Sequence, residues 1–325
     1  MTLDDRTILV TGGTGSFGRK LVETVLARWR PRRLIVFSRD ELKQSEMRRD
    51  FPHDAMRFFI GDVRDPERLR RAMHGVDDVI HAAALKQVPA CEYNQFEAVK
   101  TNVLGGANVI DAAIDAGVQR VMAVSTDKAV SPINIYGATK LCAEKLFVQG
   151  NSYSGVDGCR FSCARYGNVL GSRGSVIPLF LEQQENDGVV TVTDERMTRF
   201  WITRGQAVDF VLRCLYGMHG GEVFVPKIPS MRITDVVRAV APECRIKVTG
   251  IRPGEKVHEV LVAEDEAHYA VEMDDMFVIR PAVHPWTNVQ HWTEGRPLPA
   301  GFRFSSDTNT RWLTGDELHR LLRED

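Results

Sequence analysis

A single short stretch of the sequence holds several side chains that can move protons. Tyr136 and Lys140 are four positions apart, a spacing that places both on one face of a helix. An ammonium beside a phenol favours the ionised phenol, which can then take a proton from a substrate hydroxyl. Thr126, Asp127 and Lys128 add a hydroxyl, a carboxyl and an amine just upstream. These residue types predict acid–base chemistry on a hydroxyl group; an exposed helix face and a loop ion pair are the alternatives.

A glycine-rich loop near the start of the chain predicts a binding site for a dinucleotide. Gly12, Gly15 and Gly18 have the spacing G-x-x-G-x-x-G, between a short apolar run and a helical pattern. These residues allow a tight turn, and the backbone can approach a pyrophosphate at the N-terminus of the following helix. Three further residues of the loop are expected to contact the cofactor: Thr14, Ser16 and Phe17.

The residues that end the second apolar run favour NADP over NAD. A site for NAD usually has an acidic residue here, which binds the ribose 2′-hydroxyl. This chain has Ser38 and Arg39, followed by Lys43, and a hydroxyl with two cations suits a 2′-phosphate. Asp40 lies beside them, so NAD stays open as the alternative.

Two later strand ends complete the predicted cofactor site. Asp62 and Val63 end the third strand and are expected to face the adenine. Lys86 lies just after the fourth strand and can reach either cofactor or substrate. Small residues that end the fourth strand let the cofactor pass close to the backbone: Ala82, Ala83 and Ala84.

These residues need a scaffold, and the first half of the chain alternates between strand and helix patterns. Apolar runs of the length typical of strands buried on both faces occur at Arg6 to Gly12, Arg33 to Ser38, Met56 to Gly61, Asp78 to Ala84 and Arg120 to Ser125. Helical patterns occur at Phe17 to Trp29, from Asp65, and at Asn102 to Gly117. This alternation predicts an α/β fold of Rossmann type, with a doubly wound parallel sheet and a smaller C-terminal substrate-binding domain.

The regular alternation fades from about Tyr166, where proline-bearing segments separate shorter elements. We therefore predict an NADP-binding domain over residues 1–165 and a mainly substrate-binding domain over residues 166–325. The apolar segment Gly205 to Met218 is typical of a helix that returns to the first domain, so residues 200–222 are assigned there.

Composition restricts the classes of function. The 325 residues are 43% hydrophobic and 26% charged with a formal net charge of −1, which does not favour nucleic-acid binding. Neither a membrane-spanning run nor a signal peptide is recognisable, and the six cysteines form no C-x-x-C pair, which favours reduced thiols in the cytoplasm. His258-Glu259 lacks the second histidine of H-E-x-x-H, and no metal site is predicted.

Several longer motifs occur along the chain: S-T-D-K, Y-G-A-T-K, R-Y-G-N-V-L-G-S-R-G-S-V, M-T-R-F-W-I, V-P-K-I-P-S-M and I-R-P-G-E-K. With the glycine loop, they resemble the inverting UDP-N-acetylglucosamine 4,6-dehydratases of pseudaminic acid biosynthesis, which are extended short-chain dehydrogenases. The resemblance covers nearly the whole chain and thins only between about Glu264 and Phe302. Many motifs in the right order are more specific than any one of them.

The resemblance implies internal oxidation and reduction with NADP. Hydride passes from C4 of UDP-N-acetylglucosamine to NADP, water leaves across C5 and C6, and hydride returns to C6. Protonation of C5 on the other face gives the inverted UDP-2-acetamido-2,6-dideoxy-L-arabino-hexos-4-ulose. NADP is regenerated in every turnover, so such an enzyme is a hydro-lyase rather than a net oxidoreductase.

The same resemblance implies roles for the proton-transfer residues. Tyr136 is the acid–base group for the 4-hydroxyl, Thr126 hydrogen-bonds the same oxygen, and Lys140 holds the nicotinamide ribose. Lys128 is the candidate base for the C5 proton, with its pKa depressed by burial, Lys140 and the oxidised nicotinamide. Asp127 is the candidate acid for the departing 6-hydroxyl, which requires a raised pKa. Lys128 itself and a water stay open as the group that reprotonates C5.

Substrate contacts are expected mainly from the second half of the chain. Amide and guanidinium groups suit the sugar and its phosphates, and a carboxylate suits a ribose hydroxyl. The predicted substrate-binding residues are Lys86, Asn168, Arg173, Val176, Arg199, Arg252 and Glu255. For each arginine, a surface ion pair is the alternative.

Two other functions stay open beside dehydration. One is a different reaction on the same scaffold, either by a UDP-sugar 4-epimerase or by a 5-epimerising relative, some of which have another residue in place of Tyr136. The other is a non-catalytic NADP-binding or scaffolding protein, against which the intact acid–base set argues. The resemblance also implies a homo-oligomer, a dimer or larger, paired through helices next to the active site.

Overall fold

A ten-stranded sheet positions the candidate site. The computed structural model describes residues 2–172, 174–282 and 295–324. The strands are β1 (Thr7–Thr11), β2 (Arg33–Ser38), β3 (Met56–Ile60), β4 (Asp78–His81), β5 (Arg120–Thr126), β6 (Arg160–Tyr166), β7 (Asn168–Val169), β8 (Val189–Val192), β9 (Thr198–Ile202), β10 (Val223–Pro226), β11 (Ser230–Arg232), β12 (Arg245–Val248), β13 (Val260–Val262), β14 (Ala270–Glu272), β15 (Met276–Ile279), β16 (Arg296–Pro297) and β17 (Phe304–Ser305).

Helices connect most of these strands. They are α1 (Ser16–Arg28), α2 (Glu41–Asp50), α3 (Pro66–Ala72), α4 (Val88–Tyr93), α5 (Gln95–Ala98), α6 (Gly105–Asp115), α7 (Ile135–Ser154), α8 (Val176–Asp187), α9 (Arg204–Gly217), α10 (Ile233–Val240), α11 (Glu264–Ala267) and α12 (Gly315–Glu324). A π-helical segment covers Val99–Leu104, and a 3-10 turn covers Asp127–Ala129.

Neighbouring strands of the large sheet run parallel in the order β3-β2-β1-β4-β5-β6-β10. This is the doubly wound α/β arrangement predicted from the sequence, so the predicted fold class is confirmed. The strands β15, β14 and β16 extend the sheet in antiparallel fashion. All of β1, and all of β2 except its first residue, are buried, which explains why these strands are continuous apolar runs.

The carboxyl ends of the parallel strands carry the predicted site residues. β5 runs directly into the 3-10 turn that contains Asp127 and Lys128. β4 ends at His81, so the alanines expected to end this strand form the loop after it: Ala82, Ala83 and Ala84. Because parallel strands end at one edge of the sheet, these loops meet in a single crevice.

The helix predicted at Asn102 to Gly117 is divided into two parts. Val99–Leu104 is π-helical, and α6 begins after it. In the π-helical part, the buried Asn102 side chain donates to the Leu85 carbonyl at 2.9 Å and to Thr139 Oγ1 at 3.0 Å. Its oxygen accepts from Leu85 N at 2.8 Å. The irregular turn therefore joins the loop after β4 to α7, and such turns are frequent at functional sites.

The second half of the chain divides between the large sheet and a smaller layer. α9 packs against α1, in the region 200–222 that the sequence assigned to the first domain. β10, β14 and β15 also join the large sheet, so more of the second half belongs to it than the predicted boundary after residue 165 allows. The smaller layer contains the sheets β11-β9-β7 and β12-β8 around an apolar cluster that includes Trp201.

A buried arginine joins β6 of the large sheet to elements from the second half of the chain. Arg165 in β6 donates to the two carboxylate oxygens of Glu144 on α7, at 3.0 and 2.6 Å. It also donates to both oxygens of Glu266 on α11, at 2.8 Å each, and to the Leu261 carbonyl in β13, at 2.9 Å. Because a buried charge is tolerated only when it is paired and hydrogen-bonded, this network holds β13 and α11 against the large sheet.

Arg165→Met is expected to lower the free energy of unfolding by about 3–5 kcal/mol, because it leaves Glu144 buried without its partner. Arg70→Met is the matched control: its ion pair with Asp115 is half-exposed, so a much smaller change is expected. Urea unfolding followed by circular dichroism measures both. Equal effects of the two variants would contradict the structural role of the buried network.

Candidate active site

The glycine loop lets the backbone come close to a ligand at the start of α1. Gly12 has a φ of +67°, and a Cβ there would lie 2.8 Å from the Ala83 backbone. A Cβ at Gly18 would lie 2.5 Å from Gly13 Cα. No side chain caps the N-terminus of α1 at Gly15, and a helix N-terminus is a common binding site for an anion. This cradle fits the pyrophosphate of a dinucleotide.

A cavity of about 590 Å³ lies over this loop and the carboxyl edge of the sheet. Every residue predicted from the sequence for the cofactor lines it: Gly12, Thr14, Gly15, Ser16, Phe17, Gly18, Ser38, Arg39, Lys43, Asp62, Val63, Ala82, Ala83, Ala84, Lys86, Tyr136 and Lys140. The cavity wall also includes Thr126, Lys128 and Asn168. The predicted cofactor residues and most of the predicted proton-transfer residues therefore face the same space.

The polar residues after β2 surround one end of the cavity. Ser38 is buried at the end of the strand, and the half-exposed guanidinium of Arg39 lies 3.5 Å from Asp62. Asp40 is engaged by its own helix, because it accepts from Lys43 N at 3.0 Å and pairs with Lys43 Nζ at 2.5 Å. Asp40, the acidic residue because of which NAD stayed an alternative to NADP, is thus the N-cap of α2.

The 3-10 turn after β5 brings three proton-transfer groups together. Asp127 is fully buried behind the cavity wall, and its Oδ1 accepts from Thr126 Oγ1 at 2.9 Å and from Lys128 Nζ at 3.0 Å. Its Oδ2 has no partner among the residues that the structure describes. Gly137 lets α7 pack directly on the turn, since a Cβ there would overlap the Lys128 carbonyl oxygen. The helix that carries Tyr136 therefore contacts the turn directly.

Tyr136 and Lys140 lie on α7 and both border the cavity. Burial raises the pKa of Tyr136 to about 12, while Lys128 and a hydrogen bond to Thr126 act against this rise. Lys140 Nζ donates to the Val124 carbonyl at 2.7 Å, and burial lowers the pKa of this ammonium. The sequence predicted that the ammonium of Lys140 lowers the pKa of the Tyr136 phenol. In the structure the ammonium of Lys128 has this effect, because Lys140 is held against β5.

Lys128 differs most from the sequence-based expectation. Burial by itself lowers the pKa of its ammonium, but Asp127 and Glu259, which lie 3.0 and 3.4 Å from Nζ, outweigh burial and raise it. The predicted depressed pKa is therefore wrong for this structure, because the prediction did not include Glu259. In the sequence, Glu259 stands out only as the glutamate of an incomplete H-E-x-x-H metal motif.

The predicted substrate residues are distributed between the cavity and other places. Lys86 and Asn168 line the cavity, and Asn168 Oδ1 is buried without a partner in the described part of the chain. Arg199, predicted to bind phosphate or uridine, instead holds the protein's own backbone. Its guanidinium donates to the carbonyls of Lys256 and Val257, at 3.0 and 2.9 Å.

Three other predicted substrate residues that the structure describes lie outside the wall of this cavity. Val176 begins α8 and packs against the apolar cluster of the smaller layer. Arg252 and Glu255 form a turn in which Arg252 N donates to Glu255 Oε2 at 3.2 Å. Arg173 lies outside the described residues. Within the described ranges, no cluster of His, Cys, Asp or Glu side chains is arranged to hold a metal ion.

The fold and the site together define a dinucleotide-binding enzyme of the short-chain dehydrogenase/reductase type. A glycine loop at the start of the first helix and a Tyr-x-x-x-Lys pair on a later helix face one cavity at the carboxyl edge of a parallel sheet. The chain belongs to the family described as polysaccharide biosynthesis protein, which matches residues 8–281.

Individual proteins resemble the chain over nearly its whole length. The inverting UDP-N-acetylglucosamine 4,6-dehydratase of Campylobacter jejuni subsp. jejuni serotype O:23/36 (strain 81-176) is 48% identical over 320 residues, 96% of each chain. The UDP-glucose 4-epimerase of Rickettsia conorii is 40% identical over 329 residues, 98% of this chain and 95% of the relative. The crystal structure of Pen from Bacillus thuringiensis has a TM-score of 0.91 and 38% identity, with 100% of this chain and 99% of Pen covered.

Gly18→Ala is expected to weaken binding of a dinucleotide by at least about tenfold, because the added Cβ would push Gly13 and the loop away from α1. Gly217→Ala is the control, since a Cβ there meets nothing within 4 Å. Isothermal titration calorimetry with NADP and with NAD measures the affinities of both variants. Undiminished affinity in Gly18→Ala would mean that the loop does not form the pyrophosphate cradle.

Proposed function

We propose that the protein catalyses the inverting 4,6-dehydration of UDP-N-acetylglucosamine to UDP-2-acetamido-2,6-dideoxy-L-arabino-hexos-4-ulose. The observation that carries this proposal is the hydrogen-bonded pair of Asp127 and Lys128, on the turn that packs against Tyr136. Oxidation of a hydroxyl needs only Tyr136 and the cofactor, whereas loss of water across C5 and C6 also needs an acid and a base. The Campylobacter jejuni relative supports this reaction and substrate.

We infer that the cofactor is NADP. When bound, it would supply a reversible hydride acceptor for the oxidation and reduction of the sugar. The glycine loop would hold its pyrophosphate, and Ser38, Arg39 and Lys43 suit its 2′-phosphate by hydrogen bonding and charge. Asp40 supports NADP over NAD, because its carboxylate already caps α2 and pairs with Lys43. Lys140 is expected to hold the nicotinamide ribose.

Tyr136 takes and returns the proton of the sugar 4-hydroxyl in this proposal. Its phenol is buried at the cavity wall beside Thr126, and a hydrogen bond between them lowers its pKa against the effect of burial. The nearby charge of Lys128 acts in the same direction. Any further positive charge in the cavity also favours the phenolate, which is the form that can accept the hydroxyl proton.

Asp127 and Lys128 carry out the elimination. Once C4 is a ketone, the C5 proton is acidic, and the neutral amine of Lys128 takes it. Asp127, in its protonated form, gives its proton to the 6-hydroxyl, which leaves as water, and Asp127 becomes a carboxylate. Thr126 lines the cavity and donates to Asp127 at 2.9 Å, so its hydroxyl links the buried carboxyl to the substrate space. The base and the acid thus come from one turn and can act on neighbouring carbons.

A UDP-sugar 4-epimerase is the second candidate function. The relative from Rickettsia conorii, named UDP-glucose 4-epimerase, is 40% identical over 98% of this chain. Epimerisation at C4 uses Tyr136 and the cofactor but removes no proton from C5. The buried, hydrogen-bonded arrangement of Asp127 with Lys128 therefore favours dehydration.

Two features support the oligomeric state and the cellular location proposed for the enzyme. Tyr93 and Phe96, on α4 and α5 beside the site, are 90% and 82% exposed, which supports the homo-oligomer expected from the resemblance. All six cysteines are free thiols, which supports a cytoplasmic location. No helix in the described ranges combines the length and apolar character needed to cross a membrane.

The function is tested with UDP-N-acetylglucosamine in deuterated water, without added reductant, followed by NMR. Dehydration predicts a 6-methyl group, a 4-keto form and deuterium at C5. A UDP-hexosamine product that keeps its 6-hydroxymethyl group would establish epimerisation instead. Cofactor binding without any turnover would support a non-catalytic role.

Lys128→Ala is expected to keep cofactor affinity within about twofold but to lose C5 exchange by at least about a hundredfold, because the amine that takes the proton is gone. Lys145→Ala is the matched control, an exposed lysine on α7. The NMR assay measures exchange, and calorimetry with NADP measures cofactor affinity. Normal exchange in Lys128→Ala would remove this residue from the role of base.

Arg39→Ala is expected to weaken binding of NADP by about 10–100-fold and to leave NAD affinity nearly unchanged, because the guanidinium serves only the 2′-phosphate. Arg49→Ala, an exposed arginine of α2, is the control. Calorimetric titration with each dinucleotide gives the ratio of affinities. An equal loss for both dinucleotides would contradict the assignment of Arg39 to the phosphate.

A further inference from the structure

Glu259 is a buried carboxylate that the steps described above do not use. It immediately precedes β13 and is only 3% exposed. Its backbone is fixed on both sides, because Glu259 N donates to Ser306 Oγ at 2.9 Å and its carbonyl accepts from Ser306 N at 2.8 Å. The side chain therefore projects from a backbone that is held in place beside the end of β17.

The Glu259 carboxylate is directed at the base of the proposed reaction. Its Oε1 lies 3.4 Å from Lys128 Nζ and 3.9 Å from Arg199 Nε. Arg199 is itself anchored to backbone carbonyls, so it limits where the carboxylate can move. Oε2 is buried and has no hydrogen-bond partner among the described residues, which leaves one carboxylate oxygen able to receive a proton.

Charged and titratable side chains on several neighbouring elements surround Lys128. Its own turn contributes Asp127, and α7 contributes Tyr136. The other charged groups that act on this cluster are Lys86 after β4, Arg199 in β9, and Lys256 and Glu259 before β13. Asp127 Oδ2 and Glu259 Oε2 are both buried without a hydrogen-bond partner among the described residues. In the proposed elimination Asp127 must hold a proton of its own for the 6-hydroxyl, so Glu259 is the neighbouring carboxylate left to take the proton of Lys128.

We propose that Glu259 is a positioning residue for the dehydration proposed above: it holds the Lys128 amine at the cavity wall and takes from it the proton that Lys128 must lose before it can act on C5. One N–H bond of Lys128 breaks and one O–H bond of Glu259 forms. The ammonium and carboxylate become a neutral amine and a neutral carboxylic acid, so the total charge of the pair does not change. This inference rests on the proposed function in one respect: it takes the reaction to be a dehydration in which Lys128 removes the C5 proton.

The first test measures the charge of Lys128 without any substrate. Glu259→Gln keeps the shape of the side chain and removes its charge, and the exposed Glu264→Gln is the matched control. Each full-length protein is treated with trace acetic anhydride, which acylates only neutral amines, and mass spectrometry follows Lys128 with Lys145 as the internal standard. At a fixed pH we expect Lys128 to react about 10–1000-fold faster in Glu259→Gln, because loss of an opposite charge shifts a pKa by about 1–3 units.

The second test measures turnover as a function of pH. Because a base must be neutral, the rate rises with pH through the pKa of Lys128, and removal of the Glu259 charge moves this rise to lower pH. Glu259→Gln is also expected to lower the maximal kcat by about tenfold or more, because it cannot take the proton. A purely structural role for Glu259 would lower kcat without moving the pH dependence.

The outcomes separate this inference from the proposed function. If the wild type forms the 6-methyl product but Lys128 is acylated equally in Glu259→Gln, the inference is overturned and the function stands. If acylation shifts but the wild type forms no 6-methyl product, the proposed function and the catalytic part of the inference both fail. If Glu259→Gln does not fold, Glu259→Asp, which withdraws the charge by one methylene, must show a smaller increase in acylation; no increase overturns the inference.

Discussion

The contact between the Lys128 ammonium and two carboxylates is the constraint on which the rest of the site depends. Asp127 is adjacent in the chain, whereas Glu259 comes from the distant segment that leads into β13, and both lie within 3.4 Å of Nζ. Two unit charges about 4 Å apart attract by about 4 kcal/mol at an effective dielectric constant of about 20. This attraction outweighs the cost of burial, so Lys128 is charged in the resting protein. A base that is held charged needs an acceptor for its proton, and Glu259 stands beside it.

The position of Glu259 depends in turn on how the second half of the chain is attached to the first. Arg165 in β6 binds Glu144, Glu266 and the carbonyl of Leu261, two residues beyond Glu259. The buried network thus fixes β13 relative to the strand next to β5, and β5 carries the 3-10 turn with Lys128. A structural ion network whose residues do not line the cavity therefore sets the distance between Lys128 and its second carboxylate.

The cofactor end of the cavity depends on close backbone packing rather than on charge. Gly12 and Gly18 stand where a Cβ would meet main-chain atoms at 2.8 and 2.5 Å, so the loop can close on α1 only with glycine at these positions. On the opposite side, Asn102 in the π-helical turn binds the loop after β4 to α7, which carries Tyr136. Close backbone packing therefore shapes the cavity at the glycine loop, and the hydrogen bonds of Asn102 shape it near Tyr136. Both act on short loops that follow parallel strands.

Residue spacing within single elements was enough to predict the parallel sheet, the glycine loop and the shared face of Tyr136 and Lys140. Every residue predicted for the cofactor lies at the cavity wall in the structure. Three features could be learned only from the folded chain: Arg199 holds the protein's own backbone, β10, β14 and β15 join the large sheet, and Glu259 faces Lys128. These features join elements distant in the chain, and the pKa of Lys128 follows from the charges that such contacts place around it, which no local pattern of residues encodes.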